Sequence, residues 1–396
     1  MYNVKNWEAV VRIAVLGGGP AGLYFAYLWK TRHPDAKIDL FEQNPADATW
    51  GFGVVFSEQA LEFLRADDPQ MVDAIAPRME NWNNITLNLP GRSVDIDGVG
   101  FSSIGRLPLL NILQQRAGAA GVTLQYETPF QSVDRFSGYD LIVAADGLNS
   151  LVRRSFEGDF GASLSYSSNK FAWYGTTKRF ETLSQTFVAT EQGAFNAHHY
   201  RFSPTMSTFL VECDHATWQR YGFAGKTVEE SKAICEHVFA DVLDGQPLVS
   251  NKSVWRNFPW VWNEHWSFKN MVLIGDALHS AHFSIGSGTR LAIEDAIALA
   301  KALEAEPEMA SALARFEADR KPIVKKLVVA ARTSADWYEK FPEHMKLDTM
   351  DFAYSYITRS GRIDDQRLRT MSPGFMAQYE ASRPHEAAGR PAGGPR

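Results

Sequence analysis

A cluster of glycines near the start of the chain constrains the fold more than any other feature. It follows the short apolar run VRIAVL, and it precedes the helical pattern AGLYFAYLWKTR and a second strand-like run, KIDLFEQ. Gly17, Gly19 and Gly22 match G-x-G-x-x-G: the first makes the turn, the second lets the backbone approach a pyrophosphate, and the third lets helix pack on strand. Glu42 closes the second strand, where an acidic side chain accepts ribose hydroxyls. This order predicts a Rossmann-like nucleotide-binding unit; the alternative is a glycine turn without a ligand.

A second glycine-rich segment, MVLIGDALHSAHFSIGSGTRLAIEDA, occupies residues 271–296. Its apolar run leads into Gly275 and Asp276, and a turn around Gly286 then opens a helix. A helix N-terminus offers free amide groups to electron-rich ligand atoms. Because the chain carries one Rossmann fingerprint, the two remote segments are predicted to hold one dinucleotide between them. The pair narrows the protein to a flavoprotein.

Composition and charge exclude several other classes. The chain has 396 residues, 45% hydrophobic and 22% charged, so it can bury a sizeable core in roughly two lobes. A net charge of -6 and the lack of a long Lys/Arg cluster argue against nucleic acid as a partner. Cys213 and Cys235 are too few for a disulfide framework or a cysteine metal site, and no metal is predicted. With no signal peptide pattern and no apolar run of about 20 residues, we expect a cytoplasmic location and no membrane partner.

Three other features are candidate parts of a ligand site. Phe52 and Gly53 lie in TWGFGVVFSE, where glycines beside an aromatic residue suit a loop passing close to a flat ligand, although an ordinary loop fits too. The strand YDLIVAADG ends in Asp146 and Gly147, which predicts a carboxylate at the ligand-binding edge of the sheet; the alternative is a plain turn. Arg106 immediately precedes a helix predicted from about Pro108.

The order of predicted strands and helices along the chain predicts an α/β fold with an α+β insert. Residues 1–162 and 270–335 are predicted to form a discontinuous nucleotide-binding domain, shared with strands of the other lobe near 80–105. Alternating segments between 163 and 269 predict a β-rich substrate domain. Residues 336–383 are predicted to form a C-terminal helical segment, and residues 384–396 a disordered tail.

With GGGPAG, Arg106, DLIVAADGLNSLVR and the 271–296 segment, the chain resembles the class A flavin-dependent aromatic monooxygenases, which have the hydroxybenzoate hydroxylase fold. The resemblance covers residues 10–335. It implies an FAD-binding Rossmann-like domain in which Asp276 holds the ribityl chain, while the Asp146 motif serves both FAD and the nicotinamide coenzyme. The residues assigned to FAD on this basis are Gly17, Gly19, Pro20, Ala21, Gly22, Glu42, Gln43, Phe52, Gly53, Arg106, Asp146, Gly147, Gly275, Asp276, Gly286, Ser287, Gly288 and Thr289.

Two departures indicate a narrower group. Phe283 stands where the family motif has proline, and Thr289 and Arg290 stand where it has a second small or asparagine residue. In this form the chain resembles the salicyloyl-CoA 5-hydroxylases and the hydroxylase part of 2-aminobenzoyl-CoA monooxygenase/reductase, and it shares parts with the indole-hydroxylating violacein enzymes. We therefore expect a stand-alone hydroxylase without the reductase domain, acting on a small aromatic substrate bound as a CoA thioester.

The resemblance also implies the reaction and its residues. NADH or NADPH reduces FAD, O2 adds at flavin C4a, and the hydroperoxide passes an oxygen atom to an electron-rich ring. The residues expected to act in catalysis are His282, His279, Phe283 and Gly286. Those expected to contact the substrate are Phe52, His198, Tyr200, Phe283 and Arg359, with Tyr174 and Glu212 as weaker candidates. Structural histidines, ordinary core phenylalanines and a solvated basic turn are the alternatives.

Three other functions stay open at this point. The enzyme could hydroxylate a free aromatic or indole-derived natural product, or it could be a flavin-dependent reductase of the geranylgeranyl type, which has the same fold. A non-catalytic flavoprotein with a binding role is the third alternative. A monomer and a homodimer are equally compatible with the sequence.

Overall fold

The computed structural model describes residues 11–383, apart from the side chains of Glu58 and Gln59. The disordered tail predicted for residues 384–396 lies outside this range. The strands are β1 (Arg12–Leu16), β2 (Lys37–Phe41), β3 (Gly53–Ser57), β4 (Glu80–Trp82), β5 (Ile85–Leu89), β6 (Arg92–Ile96), β7 (Phe101–Gly105), β8 (Thr123–Gln125), β9 (Leu141–Ala144), β10 (Ala162–Thr176), β11 (Leu183–Thr190), β12 (Gly193–Arg201), β13 (Ser207–Cys213), β14 (Leu248–Ser250), β15 (Arg256–Asn263), β16 (Ser267–Phe268) and β17 (Met271–Leu273).

The helices concentrate in the first third and the last third of the described chain. They are α1 (Pro20–Arg32), α2 (Glu58–Asp67), α3 (Pro69–Ile75), α4 (Arg106–Ala120), α5 (Leu151–Ser155), α6 (Glu157–Phe160), α7 (His215–Arg220), α8 (Val228–Val238), α9 (Ala240–Leu243), α10 (Gly288–Ala305), α11 (Met309–Tyr338), α12 (Phe341–His344), α13 (Thr349–Thr358), α14 (Asp365–Met371) and α15 (Pro373–Ala381).

The first sheet has the order β16-β17-β9-β1-β2-β8, parallel except for β16. Its central strand, β1, is completely buried over residues 13–16, which agrees with a parallel strand covered on both faces. Strand β9, which precedes the Asp146 motif, pairs with β1 on one side and on the other side with β17, which precedes the Asp276 motif. Since parallel strands end at the same edge, the three motifs converge there.

The second sheet has the order β14-β10-β13-β12-β11-β5-β6, with β15 paired to β10. Residues that face each other across its antiparallel strands share a side of the sheet. Trp173, Leu210 and His198 stand opposite one another on one side, which we call the cleft face. The other side, with Tyr174 and Phe209, packs its hydrophobic core against α8 and α9.

Local interactions account for the bounds of several elements. ITLNLPGRSVDIDG forms the β5–β6 hairpin, and the Ser57 side chain accepts a hydrogen bond from the amide of Ala60 as the cap of α2. Helix α4 begins at Arg106, two residues before the predicted start, and the Arg106 amide donates to the carbonyl of Phe52. Cys213 is a buried free cysteine, as is Cys235. Over residues 11–383 no helix is long and apolar enough to cross a membrane.

Candidate active site

The glycine turn brings two backbone segments closer than any side chain allows. Gly17 has φ +109°, and a Cβ there would lie 2.2 Å from the carbonyl oxygen of Ala145, in the loop after β9. A Cβ on Gly22 would lie 2.2 Å from the carbonyl oxygen of Gly17, so α1 packs directly on the turn. At Gly19, by contrast, a Cβ would have open space around it. The turn therefore combines two tight contacts with one open approach, as a pyrophosphate requires.

Two helix N-termini point their amide groups at this edge of the sheet. Helix α1 starts after Gly19 and helix α10 after Ser287, and neither has a side-chain cap or an acidic residue in its first turn. Their first amides are thus available to an external acceptor. Glu42 lies beside the turn and accepts a hydrogen bond of 2.7 Å from the amide of Gly18.

Three charged side chains lie near the space between these helices. The guanidinium of Arg106 forms no hydrogen bond or ion pair with any residue in the range 11–383. Burial lowers its pKa, opposed by the nearby Asp276. Burial also raises the pKa of the Asp276 carboxyl, opposed by Arg106 and His279, although the side chain stays accessible from solvent. Asp146 accepts from the amide of Leu151, and its Oδ1 is buried without a partner.

This donor set fits FAD. The open glycine turn and uncapped amides suit the pyrophosphate, the unpaired guanidinium suits a phosphate or flavin oxygen, and the accessible carboxylate of Asp276 suits hydroxyl groups. Arg153 was missed as a site residue: it is buried, donates to the carbonyl of Ala277, and lies between the Asp146 and Asp276 carboxylates. The only local signal is an arginine seven residues after Asp146 on the same strand–helix unit; its burial and its contact with Ala277 are features of the tertiary structure.

The remaining predicted cofactor residues line the same edge. Gly286 has φ +59° and turns the chain into α10, and its Cβ would meet the Val55 side chain at 2.8 Å. The others lie at the first turn of α1, after β2, after β9, after β17 and at the start of α10: Pro20, Ala21, Gln43, Gly147, Gly275, Gly288 and Thr289.

Aromatic rings gather where the cleft face meets the loop at residues 50–53 and the turn before α10, and we call this region the aromatic cleft. Its half-buried rings are those of Phe52, Phe171, Trp173, Phe202 and Phe283. The Phe171 and Phe283 ring centroids are 5.0 Å apart, and those of Phe52 and Phe202 are 6.4 Å apart. A flat aromatic ligand matches such walls in shape and polarity. Phe171, Trp173 and Phe202 were not singled out from the sequence, since only strand register shows which side they face.

Tyr200 and Phe52 take part in holding the loop around residues 50–53 against the sheet. The Tyr200 hydroxyl donates to the carbonyl of Gly53 at 2.8 Å, and the Gly53 amide donates to the Thr208 hydroxyl at 3.0 Å. A Cβ on Gly175 would lie 2.5 Å from the Phe52 ring. The geometry thus gives Tyr200 a positioning role at the cleft.

The two histidines of the 271–296 segment lie in different surroundings. His282 is 2% exposed and stands among rings, with its centroid 4.0 Å from that of Phe283 and 6.4 Å from that of Tyr338. His279 instead pairs with Asp295 at 2.8 Å, and Asp295 pairs with Arg320 at 3.0 Å. This buried network gives His279 a structural position, away from the cleft face.

Arg359 and Tyr174 also have positions that the sequence could not show. Arg359 donates to the Ser334 hydroxyl and to the carbonyls of Tyr356 and Ser284. It therefore ties the C-terminal helices to the turn before α10, and a contact with substrate stays a prediction. Tyr174 points into the core of the opposite side of the sheet, so it does not reach the cleft. No group of three or more His, Cys, Asp or Glu within residues 11–383 is arranged to hold a metal ion.

The architecture is shared with solved flavin monooxygenases. A 2-methyl-3-hydroxypyridine-5-carboxylic acid oxygenase superposes with a TM-score of 0.69 at 16% identity, covering 93% of this chain and 98% of its own. PqsL of P. aeruginosa, crystallised with 2-aminobenzoylacetate, gives a TM-score of 0.67 at 19% identity, covering 88% of this chain and 100% of its own. At these identities the likeness establishes the fold.

Sequence comparison establishes the family. The profile of the family described as FAD binding domain matches residues 109–331. A salicyloyl-CoA 5-hydroxylase of a Streptomyces species is 38% identical over 88% of this chain and 70% of its own. A 3-hydroxy-4-methyl-anthranilyl-[aryl-carrier protein] 5-monooxygenase of Streptosporangium sibiricum is 35% identical over 92% of this chain and 99% of its own.

The chain belongs to this FAD-binding family, and it is a flavin-dependent monooxygenase of the aromatic hydroxylase type. Its cofactor is FAD, and NAD(P)H is the co-substrate typical of the class.

The buried histidines of the second sheet and the cleft should make the protein sensitive to acid. Burial lowers the pKa of His198 and His199 to about 3 and that of His282 to about 4. The unfolded chain binds these protons below about pH 6.5, whereas the folded chain does not. Their stabilising contribution is therefore complete above pH 6.5 and is lost as the pH falls towards the folded values, by about 1.4 kcal/mol per histidine and pH unit.

Melting temperatures between pH 7.5 and 4.5 test this expectation. His199→Gln should reduce the slope of stability against pH, because His199 lies at the sheet core and not in the cleft. The matched control is His215→Gln at an exposed position, which should keep the wild-type slope. Equal slopes for all three proteins would contradict the prediction.

Proposed function

We propose that this enzyme hydroxylates an activated aromatic acyl group carried as a thioester, of the salicyloyl-CoA (5-hydroxylation) or 2-aminobenzoyl-CoA type. The observation that carries the proposal is the pair of relatives named above, both of which are named for aromatic acids held as thioesters. The aromatic cleft beside the FAD-binding edge supports it, because its walls suit a benzene ring. Hydroxylation of a free aromatic or indole-derived compound is the alternative.

The residues at the sheet edge are proposed to hold FAD. Gly17 and Gly19 with the first amides of α1 would receive the pyrophosphate, Glu42 the adenosine ribose, and Asp276 the ribityl hydroxyls. The amides at the start of α10 would polarise the flavin pyrimidine ring. The chemistry supplied by bound FAD is electron uptake from NAD(P)H and the transfer of one oxygen atom from O2 to the ring.

The cleft residues are proposed to orient the ring and to exclude water. Phe171 and Phe283 form one wall, and Phe52, held by its loop, lies over Gly175 further along β10. Holding the reacting carbon within reach of the flavin would accelerate the reaction, because the two reactants no longer have to find the right geometry by diffusion. Since the walls are apolar, the few polar groups that reach the cleft determine which ring substituents are accepted.

A basic group of arginines near the start of α10, Arg290, Arg362 and Arg367, supports the proposal of a thioester substrate. Arg359 joins the segment after α13 to the carbonyl of Ser284, which brings the loop containing Arg362 next to the start of α10. Surrounding protein, and then the charges of Arg290 and Arg367, lower the pKa of Arg362. Arg290 is paired with Glu294, whereas the exposed Arg362 makes no ion pair within residues 11–383. The positive charges of these arginines repel one another, and the phosphate groups of a CoA or phosphopantetheine arm would relieve that repulsion.

Coenzyme oxidation and product formation with salicyloyl-CoA, 2-aminobenzoyl-CoA and the two free acids test the proposal. The thioesters should stimulate NAD(P)H oxidation and be hydroxylated, and the free acids should not. A phosphopantetheine arm is present both in CoA and on a carrier protein. The same assay with a salicyloyl group linked to a carrier protein distinguishes these two kinds of substrate. Hydroxylation of the free acids alone would overturn the thioester proposal.

The double variant Arg362→Ala, Arg367→Ala tests the basic group. Loss of charge-assisted contacts to phosphate should raise KM for the CoA thioester by about tenfold and leave kcat nearly unchanged. The N-acetylcysteamine thioester, which lacks phosphates, should show no such change. Arg369→Ala is the matched control, since that arginine is exposed and paired with Glu380. Equal effects on both thioesters would remove the basic group from the site.

A further inference from the structure

A buried polar cluster interrupts the apolar cleft face. Its central member, Glu212 on β13, is 1% exposed. Glu212 Oε1 accepts a hydrogen bond of 2.8 Å from the side-chain amide of Asn169 on β10. Its Oε2 lies 3.5 Å from both the side-chain amide of Asn196 and Nε2 of His198, two residues of β12. The four side chains come from three adjacent strands, so the sheet holds the cluster rigidly.

This carboxyl group has an unusual electrostatic setting. Burying a carboxylate without a cation is costly, and such a group normally has an ion-pair partner. Burial raises the pKa of Glu212, opposed first by the nearby His282 and then by the amide hydrogen bonds. Burial also holds both His198 and His282 in their neutral forms near pH 7. The cluster therefore has the capacity for one extra proton, and Glu212 is the member that holds it best.

His198 connects this carboxyl group to the cleft. Its side chain is 9% exposed, against 2% for the side chain of Glu212, so the imidazole is the more accessible of the two. The His198 ring meets Phe283 edge to face at 5.2 Å between centroids and Tyr338 at 4.9 Å. The imidazole thus stands between the Glu212 carboxyl group and the Phe283 wall of the cleft.

We propose that Glu212 is a positioning residue and proton acceptor behind His198, and that the pair removes the proton from a hydroxyl group on the aromatic ring. This inference rests on the proposed function. The ring hydroxyl gives its proton to Nδ1 of His198, while Nε2–H of the same imidazole passes to Oε2 of Glu212. One O–H and one N–H bond break as one N–H and one O–H bond form, and no oxidant or reductant takes part. The resulting phenolate ring is richer in electrons and accepts the oxygen atom more readily.

Several charged or titratable groups lie near Glu212, besides the neighbouring thiol of Cys213 on β13. From β12 it faces His198, from the turn before α10 it faces His282, and from the end of α11 it influences the Tyr338 hydroxyl. Arg359 is close enough to oppose protonation of His198, but its donors are directed at other acceptors. On the far side of Asn169, Glu339 accepts from the Asn169 amide and does not contact Glu212. Within residues 11–383, no lysine or arginine forms an ion pair with Glu212.

Ionisation of a bound phenol tests the proposal without turnover. Salicyloyl-CoA is bound to the FAD-loaded enzyme without NAD(P)H, the pH is varied between 6 and 10, and the absorbance of the phenolate is recorded. In the wild-type enzyme the bound phenol should ionise at a lower pH than in Glu212→Gln, by about one pH unit, a tenfold change in the ionisation constant. In His198→Gln, too, the bound phenol should ionise at a higher pH than in the wild-type enzyme. Benzoyl-CoA, which has no hydroxyl group, should bind equally well to all three proteins.

Controls separate this inference from the fold and from the thioester proposal. Glu339→Gln removes a carboxylate on the other side of Asn169 and should ionise the phenol as the wild type does, and Glu212→Asp should restore part of the effect. Flavin content and circular dichroism report folding. If salicyloyl-CoA does not bind but methyl salicylate does, the thioester proposal fails and Glu212 is judged from methyl salicylate. Identical phenol ionisation in the wild type and Glu212→Gln, or binding of neither phenol, would overturn the inference.

Discussion

Gly17→Ala is expected to prevent stable folding of the first sheet, with no FAD retained. The new Cβ would lie 2.2 Å from the Ala145 carbonyl oxygen, and the residue has φ +109°, a conformation that alanine rarely adopts. Neither strain can relax, because β1 and β9 are paired and buried on both sides of the turn. We expect a loss of at least about 3 kcal/mol, visible as aggregation or a strongly lowered melting temperature.

Two further alanine substitutions separate folding from cofactor binding. Gly19→Ala adds a Cβ in open space on an extended residue, so the protein should fold normally. That Cβ would nevertheless occupy the proposed approach to the pyrophosphate, and FAD retention should fall by more than tenfold. Gly158→Ala, also in open space but distant from the turn, should leave both properties unchanged. Normal FAD content in Gly19→Ala would contradict the proposed position of the pyrophosphate.

Asp276→Ala is expected to remove FAD while leaving the folded protein intact. The Asp276 side chain forms no hydrogen bond with any residue of the range 11–383, so no internal hydrogen bond is lost. Its carboxyl pKa is raised, because desolvation outweighs the opposing charges of Arg106 and His279. The charged form is therefore less stable in the folded protein, and the cofactor-free variant should melt no lower than the wild type. Loss of charge-assisted hydrogen bonds to hydroxyl groups should weaken FAD binding by about 10- to 100-fold.

Flavin content after purification and the melting temperature of the cofactor-free protein measure the two halves of this expectation. Asp241→Ala, an exposed carboxylate beside the second sheet, is the control and should change neither. Unchanged flavin content in Asp276→Ala would count strongly against the proposed role of Asp276. A large fall in the melting temperature of the cofactor-free variant would instead show that Asp276 supports the fold.

Much of the site at the first sheet could be predicted from sequence because its residues follow strand ends. The motifs at Gly17, Asp146 and Gly275 each end an apolar run, and parallel strands bring such ends to one edge whatever the intervening chain does. Arg153 escaped this reasoning, since its guanidinium reaches back to the Ala277 carbonyl across two strands. That contact depends on the packing of α5, which no local pattern describes.

The cleft was harder to predict because its residues are scattered over antiparallel strands. Shifting a strand by one residue exchanges its two faces, and register depends on pairing with remote segments. His198 and Tyr174 were both candidates, yet their strands place His198 in the cleft and Tyr174 in the opposite core. His279 and His282 lie three residues apart in an irregular segment, so neither helical nor strand periodicity distinguished the ion-paired histidine from the one among aromatic rings.

The sequence by itself determined the fold and the cofactor of this protein. Glycine spacing and strand-end carboxylates are local requirements of a bound dinucleotide, and they can be recognised wherever they occur. Only the tertiary structure decided which side chains share the aromatic cleft and that Glu212 is buried behind His198. These side chains meet because β10, β12 and β13 pair in one register, and the free energy that selects that register comes from burial of the whole sheet.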